Sequence, residues 1–386
     1  MLERKNCRYN NELLLIKEKL YFKGLLVIKN LFEYPDGENL KFAIKKVYLF
    51  GVILVWKHSV SMQEIIAMRM KGLSRKLNEY SLDCSHYMLQ NMAKDINEDG
   101  EIISKLRSLC EGLDSKSIEC VNRIVARLKI SYLCKDKKFY DLTKQELDEL
   151  TKINQEFYSN IIPFKRGGGV VFFYNGYFLP INGFEVSVFW HKHSLEVLET
   201  LDKIAKKDIV DVGGYIGDSA VLLQEYTECN IYSFEAISSN YQLMLETIKL
   251  NNAQKVIPIK KALGCKNEKV KIYNNASGST MAFELEGRNF EEVEVITLDD
   301  FVRENRLEIG FIKVDIEGFE MEFLKGALET IKTQKPTMLI SIYHQASDFF
   351  GIKPFLESLN LGYTFKIHKP IDWSVSGETV LFCEVL

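Results

Sequence analysis

Apolar and polar positions in the second half of the chain fall into a repeating pattern. Compact apolar runs at Ile209–Val212, Ile231–Phe234, Val256–Ile259, Phe311–Val314 and Met338–Tyr343 read as buried strands. Ser219–Tyr226, Asn240–Asn251, Glu320–Thr333 and Phe349–Leu359 carry apolar residues at helical spacing. A helix over Leu195–Ala205 leads into the first strand. Runs at Tyr363–Ile367 and Thr379–Val385 flank a Pro370–Gly377 loop and read as a hairpin at the sheet edge. Strands alternating with helices predict a mostly parallel α/β sheet. Residues 262–308 break the repeat: Val270–Tyr273 and Val293–Thr297 read as an added strand pair, with a small polar loop at Ser277–Thr280.

The first half follows a different rhythm. Residues 11–34 mix apolar and basic residues at roughly helical spacing, and Tyr34–Gly37 is a turn signal. Lys45–Trp56 is rich in β-branched and aromatic residues and reads as strand, with Val47–Trp56 as a buried strand pair or core segment. From about 61 to 134 the spacing is helical, broken at Glu98–Gly100 and Leu113–Ser115. Leu142–Ile161 predicts a helix opened by a capping box, Thr143 with Glu146. Arg166–Gly169 marks a flexible join or a tight bend. Asn175–Gly176 predicts a hairpin between Val170–Tyr174 and Tyr177–Pro180, and Glu185–Trp190 a further strand. The expected architecture is a mainly helical N-terminal domain, 1–165, of unassigned role and possible use in homo-oligomerisation. An α/β domain with helices on both faces, 166–386, follows it.

Composition narrows the classes. A chain of 386 residues accommodates about two domains. A net charge of −3 gives no long-range pull toward nucleic acid or anionic membrane, and neither is expected as a partner. The eight cysteines are scattered, with no C-x-x-C pair and no zinc spacing, which suits reduced thiols in the cytoplasm. The longest apolar run, Val47–Trp56, is too short to span a bilayer, and MLERKNCRYN is not a signal peptide.

The chemistry concentrates in DIVDVGGYIGD, 208–218. It reads as strand, glycine turn and helix start, where glycine lets backbone approach a ligand and free N–H groups carry positive partial charge. An acid two residues before the first glycine is a poor neighbour for pyrophosphate and suits a cationic ligand. S-adenosylmethionine, with its sulfonium and ammonium, has that sign. About 20 residues on, the next strand ends in Glu235, a place from which an acid holds ribose hydroxyls. Ligands of open α/β sheets lie beyond the carboxyl ends of the strands. Those ends here carry Asp211 to Gly217, Glu235–Ala236, Lys261–Ala262, Asp315 to Glu320 and Tyr343–His344.

DVGGYIGDS (211–219), YSFEA (232–236), ITLDDF (296–301) and FIKVDIEGFEMEFLKGA (311–327) together resemble the FkbM-type methyltransferases, a Rossmann-like S-adenosylmethionine-dependent family. The resemblance covers about 170–386, and Lys313, Asp315, Glu317, Gly318 and Glu320 are its most specific part. Gly214 and Tyr215 stand where the family has Ala and Asn, and Ser341 where an acid often precedes the histidine. The resemblance implies O-methylation of a sugar or glycan hydroxyl, as in surface polysaccharide biosynthesis.

On this reading Asp211, Gly213, Gly214, Tyr215, Gly217 and Asp218 hold the methionine side of the cofactor. Glu235 holds the ribose, Ala236 and Ala262 flank the adenine, and Asp315 lies next to the transferred methyl. His344 is the leading general base, oriented by Asp348, with His368 second. Asp315 and Glu317 leave one strand end close together, so one could act as base. The same pair could bind a divalent ion; a metal is possible but not predicted. Glu320 reads as an N-terminal helix acid. One of His191 and His193 could face the acceptor. Two other readings remain open: a nicotinamide-dependent oxidoreductase, and a catalytically silent interaction protein that keeps the cofactor fold.

Overall fold

The computed structural model describes the backbone of residues 3–9, 15–22, 25–33, 42–49 and 52–59. From residue 80 onward it describes all but 135–136, 167–168, 276–277 and 281–289. The chain forms two compact units. One comprises Met1–His86, Ala126–Leu147 and Trp373–Val375; the other comprises Tyr87–Val125, Asp148–Asp372 and Ser376–Leu386. No helix among the described residues is long and apolar enough to cross a membrane.

The first unit opens with a five-stranded antiparallel sheet in sequential order, Glu3–Tyr9, Leu15–Phe22, Leu25–Glu33, Phe42–Leu49 and Val52–Ser59. The helical spacing over 11–34 is thereby corrected to strand. Short apolar runs fit either period, and ladder pairing to both neighbours decides between them. The strand pair expected around Val47–Trp56 is the last hairpin of this sheet. Among the described residues, helices run over Tyr87–Glu98, Ile102–Cys110, Ser115–Cys134 and Lys144–Lys152, the first two within the second unit; the part of the helical expectation over 61–79 lies outside the described residues. The capping box is formed: the Thr143 amide donates to Glu146 Oε2 at 2.8 Å and the Glu146 amide donates to Thr143 Oγ1 at 3.2 Å.

The second unit holds a seven-stranded sheet. Its strands are β1 (Asp208–Val212), β2 (Ile231–Phe234), β3 (Val256–Ile259), β4 (Ile309–Val314), β5 (Thr337–Ser341), β6 (Thr364–His368) and β7 (Val380–Glu384). The order is β3-β2-β1-β4-β5-β7-β6, with every pairing parallel except those of β7. Every residue of β4, β5 and β7 is buried, so protein covers both faces of the sheet. This is the mixed, mostly parallel sheet with helices that the family resemblance implies. The helices used below are α1 (Asp218–Leu223), α2 (Ser238–Leu250), α3 (Leu298–Asn305), α4 (Glu320–Lys325), α5 (Leu328–Gln334) and α6 (Ala346–Ser358). The added strand pair is present, as Glu268–Asn275 antiparallel to Phe290–Ile296.

Several local expectations change. The helix expected over Glu320–Thr333 is two, α4 and α5, because the chain bends where a Cβ on Gly326 would lie 1.9 Å from the Gly264 carbonyl oxygen. Val186–Trp190 is a wide helical turn instead of a strand, its apolar face buried. The helix expected over Leu195–Ala205 is two short turns, Lys192–Val197 and Leu201–Ile204. Strands Ile162–Arg166 and Gly169–Tyr174 pair with Arg166 opposite Gly169. Residues 167–168 between them, where a flexible join or a tight bend is expected, lie outside the described residues; the 165/166 boundary falls inside one unit. Asn175 and Gly176 both have positive φ, 45° and 93°, as a two-residue hairpin turn requires.

Gly213 sets the route from β1 to α1. Its φ is +82°, and a Cβ there would sit 2.0 Å from the Asp315 carbonyl oxygen. The turn is held by the Gly213 and Gly214 amides, which both donate to the Phe234 carbonyl, at 3.1 and 2.8 Å. Gly213→Ala is expected to destabilise the protein by about 2–4 kcal/mol. Gly100→Ala, with nothing within 4 Å of the added carbon, serves as control and should change little. Urea denaturation compares them; equal small effects would contradict the packing described.

Candidate active site

At the carboxyl ends of β1, β2, β4 and β5 lies a cavity of about 700 Å³. Beneath it a buried lysine closes the sheet. Lys313, on β4, places Nζ 3.1 Å from Asp211 Oδ1 and donates to the Gly213 carbonyl at 3.0 Å. Asp211 Oδ2 accepts from Ser233 Oγ at 2.7 Å. Burial alone would lower the lysine pKa, but Asp211, Asp315 and Asp218 outweigh it and hold it raised. Asp211 is fully buried and does not line the cavity. Its expected direct contact with a cofactor is therefore corrected to a structural pairing.

The glycines need the same correction. A Cβ on Gly214 would meet Ser233 Oγ at 2.2 Å and Met244 Cε at 2.5 Å. The missing side chains at Gly213 and Gly214 make room for protein atoms rather than for ligand. Of the turn, Gly213, Tyr215 and Asp218 line the cavity, while Gly214 and Gly217 do not. Gly217, with φ +83°, caps α1. Tyr215 has φ 45° and a ring 43 % exposed. Asp218 is buried at the first position of α1; burial pushes its carboxyl up to about 7, with Lys313 opposing.

Glu235, Ala236 and Ala262 all lie on the cavity wall. Glu235 Oε1 accepts from the Ile237 amide at 2.7 Å. Burial raises its carboxyl to about 7, partly offset by the Ile237 and Tyr215 amides. Beside it, Ile237, Ile272 and Val293 form a small apolar cluster packed by Ala236, Ala262 and Val270. The added strand pair thus contributes Ile272 to one wall.

The cavity is also lined by the acids Glu185, Asp315, Glu317 and Glu378, with Tyr343 and His344. His344 is nearly inaccessible. Its Nδ1 lies 2.8 Å from Glu320 Oε1 and its Nε2 3.4 Å from Asp315 Oδ1. Burial would favour neutral imidazole, but Glu320, Asp315 and Glu317 overcome it and raise its pKa to about 9. At neutral pH His344 already holds its proton, which corrects its assignment as general base; it is a fixed positive charge beside Asp315. Its orienting partner is Glu320, not Asp348. Asp348 Oδ2 accepts from Gln345 Nε2 at 2.8 Å, and burial with Glu320 nearby raises its carboxyl to about 7. Glu320 is the N-terminal helix acid expected, at the first position of α4, where its Oε1 accepts from the Ile316 amide at 3.1 Å; it is also fully buried.

One ligand-type atom each from Asp315, Glu320 and His344 lies within 4.8 Å of the others. A protonated imidazole between two carboxylates accounts for that spacing. Glu317, at φ 56°, lines the cavity with a carboxyl raised first by burial. His193 also lines it, 3.0 Å from Ser219 Oγ, and burial lowers its pKa to about 3, so it is neutral. His191 turns away to the Ile371 carbonyl, at 2.8 Å. His368 sits on β6 and does not line the cavity, against its expected role as second base. The motif reading missed Glu185 and Glu378. The signal for Glu378 is topological: β7 runs antiparallel, so its beginning reaches the edge where the parallel strands end.

The His344 charge has a consequence for stability. A folded-state pKa near 9, above the unfolded value near 6.5, stabilises the fold fully below pH 6.5 and is lost as pH rises through 9. The shift corresponds to on the order of 3 kcal/mol. The stability deficit of His344→Gln against the parent should therefore be larger at pH 6 than at pH 10. Denaturant unfolding at both values measures it; a deficit independent of pH would contradict the protonated state.

Residues 211–365 match the model of the methyltransferase FkbM domain. "Methyltransferase 1" of Beauveria bassiana (strain ARSEF 2860) is 24% identical over 190 residues, covering 43% of this chain and 75% of its own length. The crystal structure of methyltransferase FkbM from Methylobacillus flagellatus KT aligns with TM-score 0.49 and 19% identity, over 77% of this chain and 62% of that one. M. jannaschii TYW2 in complex with AdoMet aligns with TM-score 0.27 and 15% identity, over 59% of this chain and 87% of that one. Residues 211–365 thus carry a methyltransferase FkbM domain.

Proposed function

We propose that this protein is a cytoplasmic O-methyltransferase acting on a hydroxyl of a sugar or glycan, as in building a surface polysaccharide, and that the reacting part of the acceptor carries no phosphate. The observation that carries this reading is the charge of the cavity. Glu185, Asp218, Glu235, Asp315, Glu317 and Glu378 line it, and its lysines are engaged. Lys313 is held by Asp211, and Lys261 donates to Glu294 at 2.6 Å. Phosphate recognition calls for available Arg or Lys forks or open helix N-termini.

The residues present suit S-adenosylmethionine. The volume lies within the range of small-molecule sites. Glu235 can hold vicinal ribose hydroxyls, and Ile237, Ala262 and Ile272 offer an apolar bed for a base. Asp218 and Asp315 present negative charge to a cation. When bound, the cofactor supplies an electrophilic methyl group. The chain's own part is to position an acceptor oxygen and to remove its proton, which a hydroxyl needs near neutral pH. A dinucleotide is disfavoured, because the helix start that would receive pyrophosphate begins with buried Asp218. The cytoplasmic placement rests on the buried, unlinked thiol of Cys383 and on cysteines scattered along the chain with no C-x-x-C pair.

The test is transfer of radiolabelled methyl from S-adenosylmethionine by the full chain. Neutral oligosaccharides, amino sugars and nucleoside-diphosphate sugars are compared as acceptors. Label is expected on a neutral or amino sugar, with kcat/KM for the diphosphate sugars lower by at least about tenfold. Preference for the diphosphate sugars would overturn the acceptor class.

A further inference from the structure

We propose that Glu378 is the catalytic base of the transfer, its carboxylate taking the proton of the acceptor hydroxyl; this rests on the O-methyl transfer proposed above. As the acceptor oxygen bonds to the methyl carbon, the carbon–sulfur bond breaks and its electron pair goes to sulfur. The hydroxyl proton goes to a Glu378 carboxylate oxygen. Sulfonium, carboxylate and alcohol become thioether, carboxylic acid and ether, so charge and atoms balance.

Position is the first argument. β7 begins at Val380, opposite Ser341 at the end of β5, which brings Glu378 beside Tyr343 on the cavity wall. The Tyr343 hydroxyl lies 3.2 Å from Glu378 Oε1 and 3.5 Å from Asp315 Oδ1. Glu378 thus shares a donor with the strand end that carries the most specific motif of the chain.

The backbone is the second argument. Glu378 has φ 61°, a left-handed conformation that a glutamate adopts only against its preference. The turn is pinned on both sides: Thr379 Oγ1 donates to the Ser376 carbonyl at 2.6 Å, and the Ile342 amide donates to the Thr379 carbonyl at 3.0 Å. Gly377, immediately before it, would accept such a conformation at no steric cost, yet the strained position holds a carboxylate facing the cavity.

The third argument is the state of the bases expected from the sequence and of their neighbours. His344 already holds a proton, and His193 is too weakly basic to take one. Asp315 faces the His344 imidazolium, as does Glu317, whose anion that charge favours. The groups that act most on Glu378 are Asp315 after β4, Asp372 in the preceding loop, Glu185 and Ser187 around the wide turn, and Tyr343 after β5, and none of these is a cation. Burial, then Asp315 and Asp372, raise its carboxyl to about 7, where a general base works best at neutral pH.

Two measurements on the full chain test this. In the first, the side-chain carboxyl carbons of glutamate are isotopically labelled and followed by NMR against pH. A resonance with a midpoint near pH 7 that vanishes in Glu378→Gln is expected; a Glu378 midpoint below about pH 5 overturns the proposal. The second uses the best-labelled sugar acceptor. Glu378→Gln should lower kcat by at least about 100-fold, remove the rise in rate around pH 7, and leave the affinity for S-adenosylhomocysteine within about threefold. Glu378→Asp should keep part of the rate and the pH dependence. Glu378→Gln that stays within about threefold of the parent, or Glu317→Gln that shows the large loss instead, overturns it. A parent enzyme that labels no hydroxyl contradicts O-methyl transfer itself, and the NMR titration still decides whether Glu378 holds a proton near neutrality.

Discussion

The ion pair of Lys313 with Asp211 carries the rest of the structure. It joins β1 to β4, and the Asp211 bond to Ser233 adds β2. The same ammonium holds the Gly213 carbonyl, so one charge fixes both the strands and the turn that leaves them. A buried pair of this kind is costly to leave half-made, since either partner alone is an uncompensated charge in a dry interior. It also removes the cation of the K-x-D-x-E-G-x-E motif from ligand binding. What remains for the cavity is its acids.

Those acids differ in their surroundings. Glu235 stands next to the residues of an apolar cluster, an arrangement suited to ribose next to a base. Asp315 lies beside the His344 charge, and Asp315, Glu185 and Glu378 act on one another. Burial first, and then the neighbouring carboxylates, disfavour ionisation, which is why several are pushed toward neutrality. A cationic ligand relieves that crowding; an anionic one adds to it. Tyr215, His193, Glu317 and Glu378 all line the cavity with left-handed backbones. Non-glycine strain of this sort persists where the surroundings over-determine it, often at functional sites.

Much of this was readable from residue order. The strands β1 to β7 lie close to the apolar runs that predict them, because doubly covered strands are continuously apolar. The acid before the glycine turn, Glu235 and the motif at 313–320 marked the correct edge of the sheet. Their roles were less legible. Whether Asp211 meets a ligand or a lysine depends on a pairing about a hundred residues away. Glu320 has the sequence of a helix acid and the environment of a core residue. Glu378 escaped because a search of strand ends presumes parallel strands, and β7 is reversed. Residues 11–34 were misread because their apolar spacing fits a helix, whereas the pairing that makes them strands is non-local.

The central claim, that an acid-lined cavity takes a cationic sulfur cofactor or its product, is tested most directly by calorimetric titration of the full chain with S-adenosylhomocysteine. The account predicts binding at one site, weakened at least about tenfold in Glu235→Ala without loss of folding, and no heat with NADH. No heat with S-adenosylhomocysteine, or saturable binding of NADH to the same folded protein, would contradict it.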